Sequence, residues 1–392
     1  MTTAVMPTYA RTTHAFVKGE GCWLVDEAGR RHLDFGAGIA VNCLGHAHPK
    51  LVAALTAQAG ELWHTSNLYR VVNQEALAEK LAASTFADTM FFTNSGAEAM
   101  ECAFKMARKF HYENGAPERV EIVTFEGCFH GRTIATISSA KSEKLVKGFG
   151  PLVEGFVQVP LDIDAVRAAV NEKTAAIAIE PVQGEGGIIP VETAFMKELR
   201  AICDEAGALL ICDEIQSGVG RTGKFFAHEW SGVTPDVMAI AKGIGGGFPL
   251  GACLATARAA SGMVAGTHGS TYGGNPLATA VGCAVVDEGL SEGFLDHVNA
   301  MAGRLKQKLG ALVDAHPDIL EAERGEGLMI GLKCKAANMD VLNACYDQGL
   351  LTVPAADNTV RILPPLIVTA DEIDQAVGMI DAACTALEAQ AG

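Results

Sequence analysis

Apolar runs of strand length alternate with longer stretches of helical period along most of this chain, the pattern of a mostly parallel sheet covered by helices. MFFTN (90–94) reads as a strand. It leads into SGAEAMECAFKMARKFHYENG, where Met100, Phe104 and Ala107 fall at i, i+4 and i+7 and Asn114 and Gly115 close a helix. VEIVTFEG, AAIAIEPVQGEGG, ALLICDEIQSG and VMAIAKG each read as a buried strand followed by a polar loop. Ligands of open α/β sheets bind outside the carboxyl ends of the strands, so chemistry is expected in those loops. From about residue 290 the pattern changes to a long amphipathic helix (LDHVNAMAGRLKQKLGALVDAH), two short strands (GLMIGLKC and VRILPP) and a closing helix (ADEIDQAVGMIDAACTALEAQ). The expected division is a large ligand-binding domain over 51–285 and a small α+β domain over 286–392, joined by residues 1–50 through strands around GCWLVDEAGRRHLDF.

Composition narrows the class. The 392 residues are 49% hydrophobic and 19% charged, which suits a folded globular chain of at least two domains. A formal net charge of −16 argues against nucleic acid or an anionic membrane as the main partner. The N-terminus shows no charged leader with an apolar core, and no run of about 18 apolar residues occurs, so a cytoplasmic protein is expected. Eleven cysteines without a CxxC pair fit reduced, buried thiols and no metal centre.

Two motifs are set aside. GVGRTGKF (218–225) matches a P-loop until Phe225, where a Ser or Thr hydroxyl is needed for Mg²⁺, and no helix follows directly. His46 and His48 in GHAHP lack further ligands at metal spacing and read as a turn before a helix starting at Pro49.

Three other features point to one chemistry. In MAIAKGIGGGFPLGA (238–252) an apolar run reaches Lys242 and then four glycines, which let other groups approach the backbone closely. Asp213 ends the apolar strand ALLICDE, where a carboxylate needs a cationic partner. Ser95, Gly96 and Ala97 stand where a strand turns into a helix; Ser95 and Glu98 make a capping box, and the same helix N-terminus can hold a phosphate. A lysine for covalent attachment, a carboxylate to keep a pyridine nitrogen protonated and a phosphate cradle are the needs of pyridoxal 5′-phosphate.

At this point the sequence resembles a known family. DEIQSGVGRTGKFFAHE followed by PDVMAIAKGIGGGFPLGA is similar to the signature of the class III, fold type I pyridoxal-phosphate aminotransferases, and GIAVNCLGHAHP, TNSGAEAME, FHGRT, EPVQGEGG, GSTYGGNPLA and VRILPPL follow in the family's order. The resemblance implies the fold type I architecture and a homodimer with a shared active site. It also implies Lys242 as the cofactor-attaching lysine, Asp213 as the pyridinium partner, Gln216 as a contact to the ring hydroxyl and Phe129 as the stacking ring. Ser95, Gly96 and Ala97 would take the phosphate, with Thr271 reaching in from the other subunit. Arg132 and Arg361 would hold substrate carboxylates, and Glu185 would pair with Arg361 until glutamate displaces it.

The implied reaction moves the distal amino group of N²-acetylornithine to 2-oxoglutarate, giving N-acetylglutamate 5-semialdehyde and glutamate, as in arginine biosynthesis. Alternative donors are N²-succinylornithine, succinyldiaminopimelate, ornithine and 4-aminobutyrate; the alternative of another kind is a catalytically silent binding protein of the same fold. Ornithine-acting members have a tyrosine where this chain has Ile39. An apolar Ile39 leaves a free α-ammonium without a partner and disfavours ornithine, though not 4-aminobutyrate.

Overall fold

The computed structural model describes residues 4–391. Its largest sheet has seven strands in the order Thr89–Thr93, Gly251–Ala255, Val237–Ile240, Leu209–Asp213, Thr174–Ile179, Glu121–Phe125, Phe156–Val159. Gly251–Ala255 runs antiparallel to both of its neighbours and the remaining pairs are parallel. Alternate residues of the central strands face opposite layers: Ala176, Ala178, Leu209 and Ile211 pack beneath the helix Gly96–Glu113, while Ile177, Ile179, Leu210 and Cys212 pack beneath Thr193–Ala206. Both faces are therefore covered, which is why these strands read as continuous apolar runs.

The parallel register brings the chemistry together. Asp213 lies opposite Ala239, three residues before Lys242, so both side chains leave the sheet at the same carboxyl edge. The helix Gly96–Glu113 opens at that edge as well, and Met100, Phe104 and Ala107 are all buried beneath it.

Toward the C-terminus an antiparallel sheet runs Leu320–Glu326, Met329–Cys334, Thr359–Ile362, Val353–Ala355 under the helices Phe294–Ala315 and Ala370–Ala391. Two of these four strands were not anticipated. Leu320–Glu326 is only partly buried and mostly polar, and Val353–Ala355 carries Pro354 at a sheet edge, so neither shows an apolar run. The N-terminal strands Phe16–Glu20, Trp23–Asp26 and Arg31–Asp34 form a third sheet with Leu350–Leu351, which pairs parallel to Arg31–Asp34. Among the described residues no helix is long and apolar enough to cross a membrane, and no group of three or more His, Cys, Asp or Glu could hold a metal ion.

Candidate active site

Lys242 follows the strand Val237–Ile240 as the first residue of a 3₁₀ turn, Lys242–Gly245. Its φ is 47°, in the left-handed region, and Ala241 before it has φ −162° and ψ −146°. Such a conformation at a non-glycine residue costs of order 1 kcal/mol or more and turns the side chain away from the strand direction. Lys242 thereby enters a cavity of about 340 Å³, which it lines with Ser95, Gly96, Ala97, Phe129, Asp213 and Gln216, among others. Burial first, then the charge of Arg361, lowers its amine from 10.5 to about 8 against the opposing pull of Asp213, Glu185 and Glu180.

Asp213 is buried and accepts two hydrogen bonds, from the amide of Ile215 at 3.0 Å and from His130 Nδ1 at 2.7 Å. Burial works against a charged imidazole at His130, while Cys128 and the bond to Asp213 act the other way and hold it well above its ordinary value. The strand-end carboxylate thus has a hydrogen-bonding imidazole behind it, the kind of partner that a lone carboxylate in an apolar sheet needs.

The helix N-terminus forms another wall. Ser95 Oγ accepts from the amide of Glu98 at 3.3 Å, and Glu98 Oε2 accepts from the amide of Asn94 at 2.5 Å. That cap leaves the amides of Gly96 and Ala97 for an anion in the cavity. Cap and anion cradle thus coexist in one turn. A Cβ on Gly96 would come 2.7 Å from Ile215 Cδ1, so only glycine lets the turn lie this close to the loop after Asp213.

A second cavity, about 630 Å³, adjoins the first through Phe129 and is also lined by Arg132 and Glu185. The Arg132 guanidinium lies 5.6 Å from the Phe129 ring centroid. Arg361 is buried on the strand Thr359–Ile362, with Nη1 2.8 Å from Glu185 Oε1 and 3.4 Å from Gln216 Oε1, and Nη2 donating to the carbonyl of Pro354 at 2.9 Å. Its Nε is buried without a partner.

Two expected residues stand apart. Thr271 is exposed and lines neither cavity of its own chain. Ile39 is 38% exposed in a left-handed turn that includes Ala37, Gly38 and Ala40, and Val41 lines the cofactor-sized cavity in its stead. Two residues went unread in the sequence: His130, between Phe129 and Arg132 in FHGRT, and Glu180, which lines the first cavity. Glu180 ends an apolar strand, the signal that singled out Asp213, whereas His130 lies in a loop and carries no such signal. The set-aside motifs fold as a turn before a helix and as a run of turns: His48 precedes the helix Pro49–Ala59, His46 Nε2 pairs with Asp34 Oδ2 at 2.8 Å, and Phe225 is buried.

The Aminotransferase class-III model matches residues 5–384. The chain belongs to the class-III aminotransferases. It is 62% identical over 391 residues to the acetylornithine aminotransferase of Rhodobacter capsulatus, covering 100% of both chains, and 60% identical to that of Mesorhizobium japonicum, covering 98% of this chain and 96% of the other. The solved ornithine aminotransferase of Toxoplasma gondii superposes with a TM-score of 0.95 at 30% identity, covering 99% of this chain and 94% of that one. The N-acetylornithine aminotransferase of Stenotrophomonas maltophilia gives 0.86 at 36% identity, over 97% and 98%. The chain is a transaminase of the fold type I class that works with pyridoxal 5′-phosphate on amino-acid and 2-oxo-acid substrates. The geometry fits that cofactor: free helix-turn amides for an anionic group, a buried carboxylate backed by His130, and a lysine amine lowered to about 8.

Proposed function

We propose that the chain transfers the distal amino group of N²-acetylornithine to 2-oxoglutarate, in the arginine branch of amino-acid biosynthesis; the relatives it matches are acetylornithine aminotransferases. The observation that carries this reading is 62% identity over the whole chain to an acetylornithine aminotransferase, joined to a cavity that holds every expected cofactor residue except Thr271. The bound cofactor supplies an electron sink for the carbon that loses its proton.

The protein's side chains supply the rest. Lys242 would hold the cofactor covalently and, as a free amine, would carry the proton between carbons; with its pKa lowered to about 8 the amine is partly neutral near neutral pH. Of the residues lining the cavity, Asp213 would keep the ring nitrogen protonated, Gln216 would meet the ring hydroxyl and Phe129 would stack on the ring. Arg132 holds the α-carboxylate of the donor in the second cavity. Glu185 neutralises Arg361 while the donor lacks a carboxylate there and releases it to 2-oxoglutarate, a movement that its half-exposed side chain permits.

The reading extends to a homodimer acting in the cytoplasm. Leu62, Trp63, Leu68, Tyr69 and Tyr272 are exposed, and the segment around Asn67 is bonded to Ser270 and Gly273 beside Thr271. An apolar patch of this kind fits a second copy, which Thr271 would serve in turn. Residues 51–285 act as the cofactor domain, and 1–50 with 286–392 as the smaller one that carries Arg361.

The test is kcat/KM for N²-acetylornithine, N²-succinylornithine, ornithine and 4-aminobutyrate with 2-oxoglutarate. An advantage of about a hundredfold for N²-acetylornithine over ornithine corresponds to about 2.7 kcal/mol. Parity with ornithine or 4-aminobutyrate contradicts the proposed donor.

A further inference from the structure

We propose that Glu180 is a positioning residue that latches together the loop carrying Phe129 and Arg132 and the loop carrying Glu185. Glu180 follows the strand Thr174–Ile179 and is buried against the cofactor cavity. Its two carboxylate oxygens serve different loops. Oε2 accepts from the amide of Phe129 at 3.0 Å, and Oε1 accepts from the amide of Gly184 at 3.3 Å.

Two further contacts join the same loops. Gln183 Nε2 donates to the carbonyl of Glu126 at 2.9 Å. A Cβ on Gly186 would come 2.8 Å from the carbonyl oxygen of Gly127, so the backbones lie as close as glycine allows. The loops share the second cavity, where Arg132 and Glu185 both appear in the lining. A carboxylate that bonds one amide from each loop fixes the separation of those two side chains, and through it the span between two substrate carboxylates.

The latch rests on the proposed roles of Arg132 and Glu185. It also sits among charges: Asp213, His130 and Lys242 face it, and burial first, with Asp213 adding, raises its carboxyl to about 7 despite His130 and the two amides. Glutamine at this position offers one carbonyl oxygen and an amino group, so one of the two amides loses its acceptor.

The experiment measures hydrogen exchange at the amides of Phe129 and Gly184 in the holoenzyme, together with kcat and KM, for the wild type, Glu180→Gln and Gln183→Ala. In Glu180→Gln at least one of the two amides is expected to exchange about tenfold faster, and KM for N²-acetylornithine and for 2-oxoglutarate to rise by about fivefold or more with a smaller change in kcat. Gln183→Ala, which removes only the parallel bond, is expected to show the same pattern at smaller amplitude and keeps the proposal testable if Glu180→Gln fails to fold. Wild-type protection of both amides, or a fall in kcat at unchanged KM, overturns the latch. Faster exchange with both KM values unchanged also overturns it; if Arg132→Lys leaves KM unchanged as well, the substrate reading of Arg132 is what has failed.

Discussion

Arg361 and Glu185 form an ion pair of 2.8 Å in which the arginine is buried and the carboxylate is half-exposed. The asymmetry gives the pair a direction. Removing the carboxylate strands a buried guanidinium, whereas swinging it aside requires moving only the exposed partner. Glu185→Ala is therefore expected to lower kcat/KM for N²-acetylornithine by about tenfold or more, about 1.4 kcal/mol, while the glutamate half-reaction is unchanged or faster. Steady-state kinetics in both directions check it. An equal fall for both substrates would mean that the pair does not discriminate between them.

Asp213→Ala removes the carboxylate that His130 supports, so the buried imidazole loses its Nδ1 partner together with the cofactor's expected one. Turnover is expected to fall by about a thousandfold or more, some 4 kcal/mol. Near-normal turnover would assign the pyridinium to another residue. His130→Gln, which leaves Asp213 in place, is expected to cost less.

The lowered amine of Lys242 sets a pH dependence. Its proton is lost through about pH 8 in the folded protein and only near 10.5 when unfolded. Between those values the unfolded chain binds more protons, so this group makes cofactor-free protein more stable as pH rises from about 8 toward 10.5. The neutral amine is also the attacking form, so the rate of cofactor attachment is expected to climb with a midpoint near pH 8. Arg361→Ala, by removing the second cause of the shift, is expected to move that midpoint upward. A midpoint near 10.5 in the wild type would contradict this environment.

Gly96→Ala places a Cβ against Ile215 at 2.7 Å. Overpacking of this kind costs about 1–3 kcal/mol, so cofactor affinity is expected to drop about tenfold or more. Adding Ile215→Val is expected to restore part of the loss. Fluorescence titration of cofactor-free protein with pyridoxal 5′-phosphate reads both variants.

Legibility in the sequence followed physical cause. The strands ending at Asp213 and Ile240 were visible because both of their faces are buried, and Lys242 and Asp213 stood out as polar breaks in apolar runs. Leu320–Glu326 was not, because a half-exposed strand keeps polar residues. Glu180 carried the same polar break as Asp213, but its task was hidden, because its partners are backbone amides of two loops and no side-chain pattern encodes a backbone donor. The left-handed backbone at Lys242 was equally hidden, since lysine gives no sign of a positive φ.

The central claim is that the chemistry is carried by Lys242 at the end of the strand Val237–Ile240. Borohydride reduction of the holoenzyme followed by peptide mapping tests it most directly. The account predicts cofactor fixed irreversibly to the peptide containing Lys242, and no fixed cofactor in Lys242→Ala, which still binds it reversibly. Label on any other lysine of the wild type, or no attached cofactor after reconstitution, would contradict it.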